Sequence, residues 1–374
     1  EHVHPYLLVS ASMLEENAAE AVQLLRELLT QGCYDETGRI GETVMQNDYF
    51  MRQSLISNGH TFAVTKSLSA FSAGAALKET LEGETFVRWF AALAAGFAQN
   101  GAQVSAALAA LTEKVFVTSR LFAGYSGALD ADVLAQLIAA LPQGAPGATA
   151  AHKRYDAAAC AVEIPADVGF CALGHNLYAL GSSYSGACPV LSSLVSYGYL
   201  WNMVRVQGGA YGTGMNVRRS GDIFCYSYRD PNLDNTRAVF SAVADFIENF
   251  AAQGMPLDDI IIGSVNTTDP LLDPAGVCES QCVRALKGVT PEELGDLLRR
   301  SGIPLYGAAL RPDAMDARQA DYSRCALAIG SEGRGLSREV LDLCDKTVLI
   351  PMSPRCESLN AAIAAAVLLW ESWR

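Results

Sequence analysis

Apolar residues recur every three or four positions over residues 12–31, the spacing that gives an α-helix one buried face. Ser12 and Glu15 stand at the spacing of a capping box at the start of this helix. By composition, Lys114–Ala123 is predicted to be a strand and Pro142–Ala151 a linker. Helical patterns, several of them rich in alanine, predict further helices over Gly41–Asn58, Thr85–Asn100, Val104–Leu111 and Asp130–Leu141.

A second region that mixes strands and helices follows the linker. Apolar segments with strand composition predict strands at Ala157–Ile164, Gly169–Leu173, Ala210–Val217 and Asp222–Tyr228. Longer periodic stretches predict helices at Pro189–Val204, Asn235–Gln253 and Leu257–Ser264. Because the order of elements is similar in the two regions, we expect residues 1–150 and 151–298 to form two similar α+β units, each a sheet covered by helices.

The pattern changes again from Gly302. Short apolar strands alternate with helices as in a parallel α/β sheet: strands at 303–310, 325–330 and 347–352, and helices at Ser337–Leu343 and Leu359–Arg374. The predicted fold class is therefore α+β, with two similar units followed by a partial α/β unit at 299–374.

Length and charge narrow the function. A chain of 374 residues with 50% hydrophobic and 18% charged residues can form two or three folded domains. The net charge is −13, but residues 302–374 contain eight basic and nine acidic residues and are nearly neutral. The net charge of −12 on residues 1–301 repels phosphate, which argues against nucleic acid as a partner of that region.

Compartment and processing follow from a few simple features. Ten cysteines are scattered without paired spacing, as expected for reduced thiols, so we expect a cytoplasmic protein. The longest wholly apolar run, Ala361–Trp370, is far shorter than the roughly 20 residues of a membrane helix, so no membrane partner is expected. Because the sequence begins with Glu1 and not with Met, we expect a processed product or a fragment.

The first candidate site is the segment Arg205–Gly214, RVQGGAYGTG. Two adjacent glycines let the backbone bend and let a ligand come close, while Arg205 and Tyr211 offer a cation and a phenol. Such a pair can hydrogen-bond a carbonyl oxygen or a developing oxyanion. The alternative is an ordinary glycine turn that leads into an edge strand.

Two segments resemble one peptidase family. RVQGGAYG with the following SGDIFCYSYRDPNLDNT is similar to the C-terminal half of the insulinase and pitrilysin zinc peptidases, in the presequence-protease branch. Ile56–Phe90, ISNGHTFAVTKSLSAFSAGAALKETLEGETFVRWF, is similar to the same branch. The resemblance extends from about residue 1 to about residue 298, with the first unit incomplete at its N-terminus.

This resemblance implies a two-halved chamber of four α+β units that binds an unstructured peptide. The N-terminal half of such enzymes has a zinc motif, His-x-x-Glu-His, and the C-terminal half supplies an Arg and a Tyr that reach the substrate. Arg205 and Tyr211 stand at those positions, with Gly208 and Gly209 between them. None of the five histidines belongs to a His-x-x-Glu-His motif, so zinc would come only through a separate zinc-bearing half: His2, His4, His60, His152 and His175.

The second candidate site is in the tail, where Gly-Ser-Glu-Gly-x-Gly-Leu-Ser is followed by Ile-Pro-Met-Ser and Glu-Ser-Leu-Asn. From about Leu294 this tail closely resembles the second and third motifs of the knotted SpoU/TrmH family of RNA ribose methyltransferases. The resemblance implies a SPOUT-type trefoil-knot pocket for S-adenosylmethionine. The implied cofactor-binding residues are Gly330, Glu332, Gly333, Gly335, Leu336, Ile350, Met352, Ser358, Leu359 and Asn360.

The tail also departs from this family. The first motif, with its catalytic Arg, would precede Gly302, but Ala285–Arg300 has the pattern of a closing helix instead. Three hypotheses therefore stand. The chain is a non-catalytic, substrate-binding peptidase half; or it is an RNA 2′-O-ribose methyltransferase completed by a homodimer mate or another chain; or it is a chimeric or truncated frame without autonomous activity. The expected partners are a peptide, a zinc-bearing half and, through the tail, RNA.

Overall fold

The computed structural model describes residues 3, 5–126, 131–145, 154–257, 260, 273–286, 304–330, 335–336, 338–352 and 359–373. The chain divides into two compact units. The first comprises Glu1–Leu121 and Gly127–Leu272, and the second comprises Phe122–Ser126 and Asp273–Arg374. Among the described residues, no helix combines the length and the apolar character that a membrane span needs.

The N-terminal part of the first unit is helical. A short 3₁₀ turn at Glu15–Asn17 leads into the first helix. The capping box predicted at Ser12 does not form, because this turn begins directly after Leu14, whose side chain makes no capping bond. The six helices that follow are α1 (Ala18–Thr30), α2 (Thr37–Ser57), α3 (Gly59–Leu68), α4 (Ala73–Glu82), α5 (Glu84–Ala95) and α6 (Phe97–Val115). One more described helix, α7 (Ala131–Ala140), precedes the sheet.

Two predicted strands are wrong. Lys114–Ala123 ends α6 at Val115 and then forms a 3₁₀ turn, and Ala157–Ile164 is irregular. The described residues before Gly169 contain no strand, so they do not form the sheet expected within 1–150. The physical reason is that β-branched composition alone does not make a strand, which needs a neighbour to pair its backbone groups. The helices predicted at Leu257–Ser264 and Ala285–Arg300 lie almost wholly outside the described residues.

A three-stranded antiparallel sheet forms the centre of the first unit. Its strands are β1 (Gly169–Asn176), β2 (Gly212–Val217) and β3 (Asp222–Asp230), in the order β1-β3-β2. The register pairs Gly174 with Phe224 and Gly214 with Tyr226, and a bulge lies between Gly169 and Cys171. These strands agree with the predicted strands at 169–173, 210–217 and 222–228.

Helices cover both faces of this sheet. One face packs on α8 (Ala187–Val195) and on a π-helix, π1 (Ser196–Gln207), through a core that includes Leu200, Val204 and Met215. The other face packs on α3, where Val64 and Leu68 meet Phe224. Helices α9 (Leu233–Ser241) and α10 (Val243–Gln253) follow β3. The sheet thus lies between helices from both parts of the sequence.

A buried ion cluster joins the helices α3, α4 and α5. The Lys66 ammonium donates to Glu79 Oε1 at 2.9 Å and to Glu84 Oε2 at 3.3 Å, and Glu79 is fully buried. Glu79 Oε1 also accepts the backbone N–H of Thr85 at 2.9 Å. Burial lowers the pKa of Lys66, but its bonds and charge contacts with Glu79 and Glu84 outweigh burial and raise that pKa above its usual value.

The second unit is a parallel α/β structure, as predicted. Its strands β4 (Leu305–Ala308), β5 (Met315–Asp316), β6 (Ala326–Ile329) and β7 (Lys346–Leu349) lie in the order β5-β7-β4-β6, with every pair parallel. Its helices are α11 (Pro274–Leu286), α12 (Arg338–Leu343) and α13 (Ala361–Trp373). Leu368 of α13 is fully buried beside Tyr306 and Val348, so this helix forms part of the core of the unit.

Candidate peptide-binding and cofactor sites

The first candidate site begins where π1 ends. The N–H of Gly209 donates to the Arg205 carbonyl at 3.0 Å, and the N–H of Ala210 donates to the Val204 carbonyl at 3.1 Å. Gly209 has φ +83°, and a Cβ on Gly208 would lie 2.6 Å from the Val204 carbonyl oxygen. Glycine is therefore needed at both positions for the chain to turn sharply into β2.

Arg205 lies between two aromatic rings. Its guanidinium carbon lies 4.1 Å from the centroid of Trp201 and 5.6 Å from the centroid of Tyr211. Both distances fall within the range of cation–π attraction. The structure thus brings the predicted residues Arg205, Gly208, Gly209 and Tyr211 together at one turn.

The start of β2 holds Tyr211 in place. Its backbone N–H donates to the carbonyls of Tyr228 at 3.1 Å and Arg229 at 3.2 Å. The rings of Tyr211 and Tyr228 meet edge to face at 5.8 Å. Arg229 has φ +48°, an uncommon left-handed conformation for a residue with a side chain. Tyr211 is 66% exposed, so its backbone is fixed while its ring faces solvent.

The aromatic contacts continue from Tyr228 into the interior. The ring of His60, near the start of α3, lies 4.9 Å from Tyr228 and 5.6 Å from Tyr226. Among the described residues, His60 Nδ1 is buried and has no hydrogen-bond partner. Burial lowers the pKa of His60, so the neutral imidazole is favoured. The sequence predicts neither Trp201 nor this aromatic row; the spacing of four from Tyr197 to Trp201 to Arg205 is the signal that could have found its outer part.

The second candidate site lies at one edge of the parallel sheet. The register places the ends of β6 and β7 on either side of Ala308 in β4, so Gly330 and Ile350 follow the two strands that flank β4. A Cβ on Gly330 would overlap the backbone of Gly335 and the N–H of Leu336, and Gly335 has φ +67°. The backbone at Gly335 therefore returns very close to Gly330, an approach that glycine permits.

Other predicted cofactor-binding residues sit nearby in the chain. Leu336 approaches β4, because a Cβ on Gly307 would lie 3.0 Å from Leu336 Cδ1. Asn360 precedes α13, and its Oδ1 accepts the N–H of Ile363 at 3.3 Å. Met352 and Leu359 are partly buried. Glu332, Gly333 and Ser358 lie outside the described residues.

Comparisons with known proteins match three parts of the chain. The PreP C-terminal domain matches residues 160–301, the associated family of subfamily C of the M16 peptidases matches residues 1–93, and the SpoU rRNA Methylase family matches residues 250–370. In the part of the chain that the structure describes, no group of three or more His, Cys, Asp or Glu side chains could hold a metal ion.

Individual relatives divide in the same way. Presequence protease 1, chloroplastic/mitochondrial, of Arabidopsis thaliana is 24% identical over 294 residues, 77% of this chain and 27% of that protein. The tRNA (guanosine(18)-2′-O)-methyltransferase of Thermus thermophilus is 44% identical over 78 residues, 21% of this chain and 40% of that enzyme. A solved structure, the SpoU methyltransferase AviRb from Streptomyces viridochromogenes with AdoMet, is 39% identical, with a TM-score of 0.21 over 22% of this chain and 35% of its own. The chain spans less than half of each of these proteins.

Proposed function

We propose that this chain, which joins the carboxy-terminal region of a presequence-protease-type insulinase peptidase to the carboxy-terminal part of a SpoU/TrmH-type RNA methyltransferase, binds unstructured peptides through Arg205 and Tyr211. In this proposal the chain positions a substrate and does not itself cleave it. Cleavage then requires a second polypeptide that brings the His-x-x-Glu-His motif and its zinc. Within the described ranges, the side chains offer that metal no ligand set.

The observation that supports peptide binding is the meeting of a guanidinium and an exposed phenol at one rigid turn. The rings of Trp201 and Tyr211 lie near the guanidinium of Arg205, whose N–H groups are donors for a peptide carbonyl. The exposed phenol of Tyr211 can donate a second hydrogen bond. Because Gly208 and Gly209 fix the turn, little ordering is needed when a peptide binds.

The test compares two arginines that each lie near an aromatic ring. We expect Arg205→Ala to weaken binding of a fluorescent, unstructured peptide by roughly tenfold or more, as expected when one charged hydrogen-bond donor is lost. Arg219→Ala is the matched control, because Arg219 lies 5.6 Å over the ring of Tyr184 in the turn between β2 and β3. Equal binding by all three proteins would contradict the proposal. Addition of a zinc-bearing half should restore cleavage to the wild type but much less to Arg205→Ala.

A second candidate function concerns the tail. We propose that the sheet edge formed by β4, β6 and β7 binds S-adenosylmethionine, with the backbone around Gly330 and Ile350 holding the cofactor. The bare Cα of Gly330 supports this, since the close backbone of Gly335 leaves no room for a side chain there. When bound, the cofactor would supply a methyl group for RNA 2′-O-ribose methylation, with missing parts provided by a homodimer mate or another chain.

Calorimetric titration with S-adenosylmethionine tests this second candidate. We expect the wild type to bind and Gly330→Ala to lose binding, because the added Cβ would displace the backbone at Gly335. Gly186→Ala is the control, since a Cβ there meets nothing within 4 Å. Absence of binding to the wild type at millimolar cofactor would contradict the candidate and favour a chimeric frame without methyltransferase activity.

A further inference from the structure

A row of three side chains runs along the exposed side of π1. Tyr197, Trp201 and Arg205 follow one another at steps of four residues, which nearly complete one turn of a π-helix. The rings of Tyr197 and Trp201 are 6.3 Å apart, and the guanidinium of Arg205 lies 4.1 Å from the Trp201 ring. The row leads directly to the candidate peptide-binding loop.

The two rings contribute little to the core of the unit. Tyr197 is 74% exposed and Trp201 is 39% exposed, whereas Leu200 and Val204 of the same helix are fully buried. Val206, beside Arg205, is also exposed. A helix that already buries one apolar side has no structural need for a second one. Exposed aromatic rings next to a binding loop offer area that a ligand can cover.

We propose that Trp201 is a positioning residue for Arg205, and that Tyr197 and Trp201 together form an aromatic shelf for one aromatic or aliphatic side chain of the bound peptide. This inference rests on the proposed peptide-binding function and names its substrate class. Trp201 covers the face of the guanidinium, so the N–H groups at the guanidinium edge stay directed outward to a peptide carbonyl. The neighbouring side chain of the peptide then lies over the rings.

The occupant of the shelf follows from charge as well as from shape. Residues 196–211 contain no Asp or Glu, so this segment offers no attraction to a basic side chain. The face of its single cation, Arg205, is already covered by Trp201. What the shelf offers is apolar ring surface, and aromatic or aliphatic side chains gain most from covering it. A peptide with an acidic residue at the same position is the competing occupant, because it could pair with Arg205.

The experiment measures binding of three labelled peptides to the full chain. The peptides share a Gly/Ser-rich sequence and differ only in one central residue, which is Phe, Ala or Glu. We expect the wild type to prefer the Phe peptide over the Ala peptide by roughly tenfold, as stacking on aromatic rings would give. Tyr197→Ala and Trp201→Ala should abolish this preference, and Trp201→Ala should also weaken the Ala peptide, because Arg205 loses its support. Trp201→Phe should restore most of both.

Trp89→Ala is the matched control, since Trp89 is an exposed tryptophan on α5 that stacks on Phe86 at 5.5 Å. Unchanged thermal unfolding would show that the Tyr197 and Trp201 variants still fold. If no peptide binds the wild type, the proposed function itself fails. If peptides bind and Arg205→Ala weakens them, but Phe, Ala and Glu bind alike or Glu binds best, the peptide-binding function stands and the aromatic shelf is overturned.

Discussion

Glu79 shows how one residue can hold three helices together. Its Oε1 accepts bonds from the Lys66 ammonium and from the N–H of Thr85, and the side chain is fully buried. Glu79→Gln removes the negative charge that offsets Lys66, so we expect a loss of about 2 kcal/mol in the free energy of unfolding. Glu82→Gln, on the exposed side of the same helix, should change it by less than about 0.5 kcal/mol. Urea denaturation of both variants checks this, and similar losses would contradict the cluster's role.

The ion cluster also makes a prediction at high pH. Because the pKa of Lys66 is raised in the folded chain, its stabilising charge is fully present below its usual value of 10.5. That contribution is lost as the pH rises from there through the folded-state pKa. We expect the stability of the wild type and of Lys66→Met to converge in this alkaline range. A constant difference between them up to strongly alkaline pH would count against the assignment.

His60 makes the opposite kind of prediction. Burial lowers its pKa below the usual 6.5, so the unfolded chain binds a proton more readily than the folded chain does. Stability should therefore fall as the pH drops below about 6.5 and level off once the folded-state pKa is passed. His60→Phe keeps an aromatic ring beside Tyr228 and removes the buried, unpartnered nitrogen. We expect this variant to be at least as stable as the wild type and to lose this part of the acid dependence, measured by thermal unfolding between pH 5 and 8.

At the scale of elements, the edge strand β2 is closed by two serines of the neighbouring helices. Ser196 Oγ accepts the N–H of Met215 at 2.9 Å, and Ser192 Oγ accepts the N–H of Val217 at 3.1 Å. These bonds occupy backbone groups that could otherwise pair with another strand, so we expect a bound peptide to meet the loop around Tyr211 and not this part of the edge.

Removing both hydroxyls tests this closure. Ser192→Ala combined with Ser196→Ala leaves two edge N–H groups without their acceptors, and we expect a loss of about 2 kcal/mol in the free energy of unfolding, about 1 for each bond. Ser241→Ala, whose hydroxyl bonds a carbonyl of its own helix, should cost much less. We also expect the double variant to aggregate more readily by light scattering. A double variant as stable and as soluble as Ser241→Ala would contradict the role of the serines.

The elements differ in how well the sequence predicts them. Helix α1, the strands of the three-stranded sheet and the alternation after residue 302 follow from local periodicity, which reports which side of an element is buried. The strands predicted at Lys114–Ala123 and Ala157–Ile164 are wrong because pairing depends on distant segments. Arg205 and Tyr211 could be found from their motif, but Trp201 and His60 could not, since their contacts depend on a π-helix and on α3 packing against the sheet.

At the scale of the whole molecule, the proposed sites fall in different compact units. Arg205 and Tyr211 lie in the unit that contains Gly127–Leu272, whereas Gly330 and Ile350 lie in the unit that contains Asp273–Arg374. Each unit has a buried core of its own, around Leu200 in one and Leu368 in the other. The unequal distribution of charge along the chain follows the same division, with the near-neutral segment 302–374 inside the second unit.

This division predicts two separable responses to ligands in differential scanning calorimetry. A ligand that binds only the native form of one unit raises the free energy of unfolding of that unit, by about 2.7 kcal/mol at a concentration about one hundred times its dissociation constant. We expect S-adenosylmethionine to shift one transition and an unstructured Phe-containing peptide to shift the other. Gly330→Ala should abolish only the first shift and Arg205→Ala only the second. A single transition that both ligands shift would show that the two units unfold as one, and no shift with either would favour a chain without autonomous binding activity.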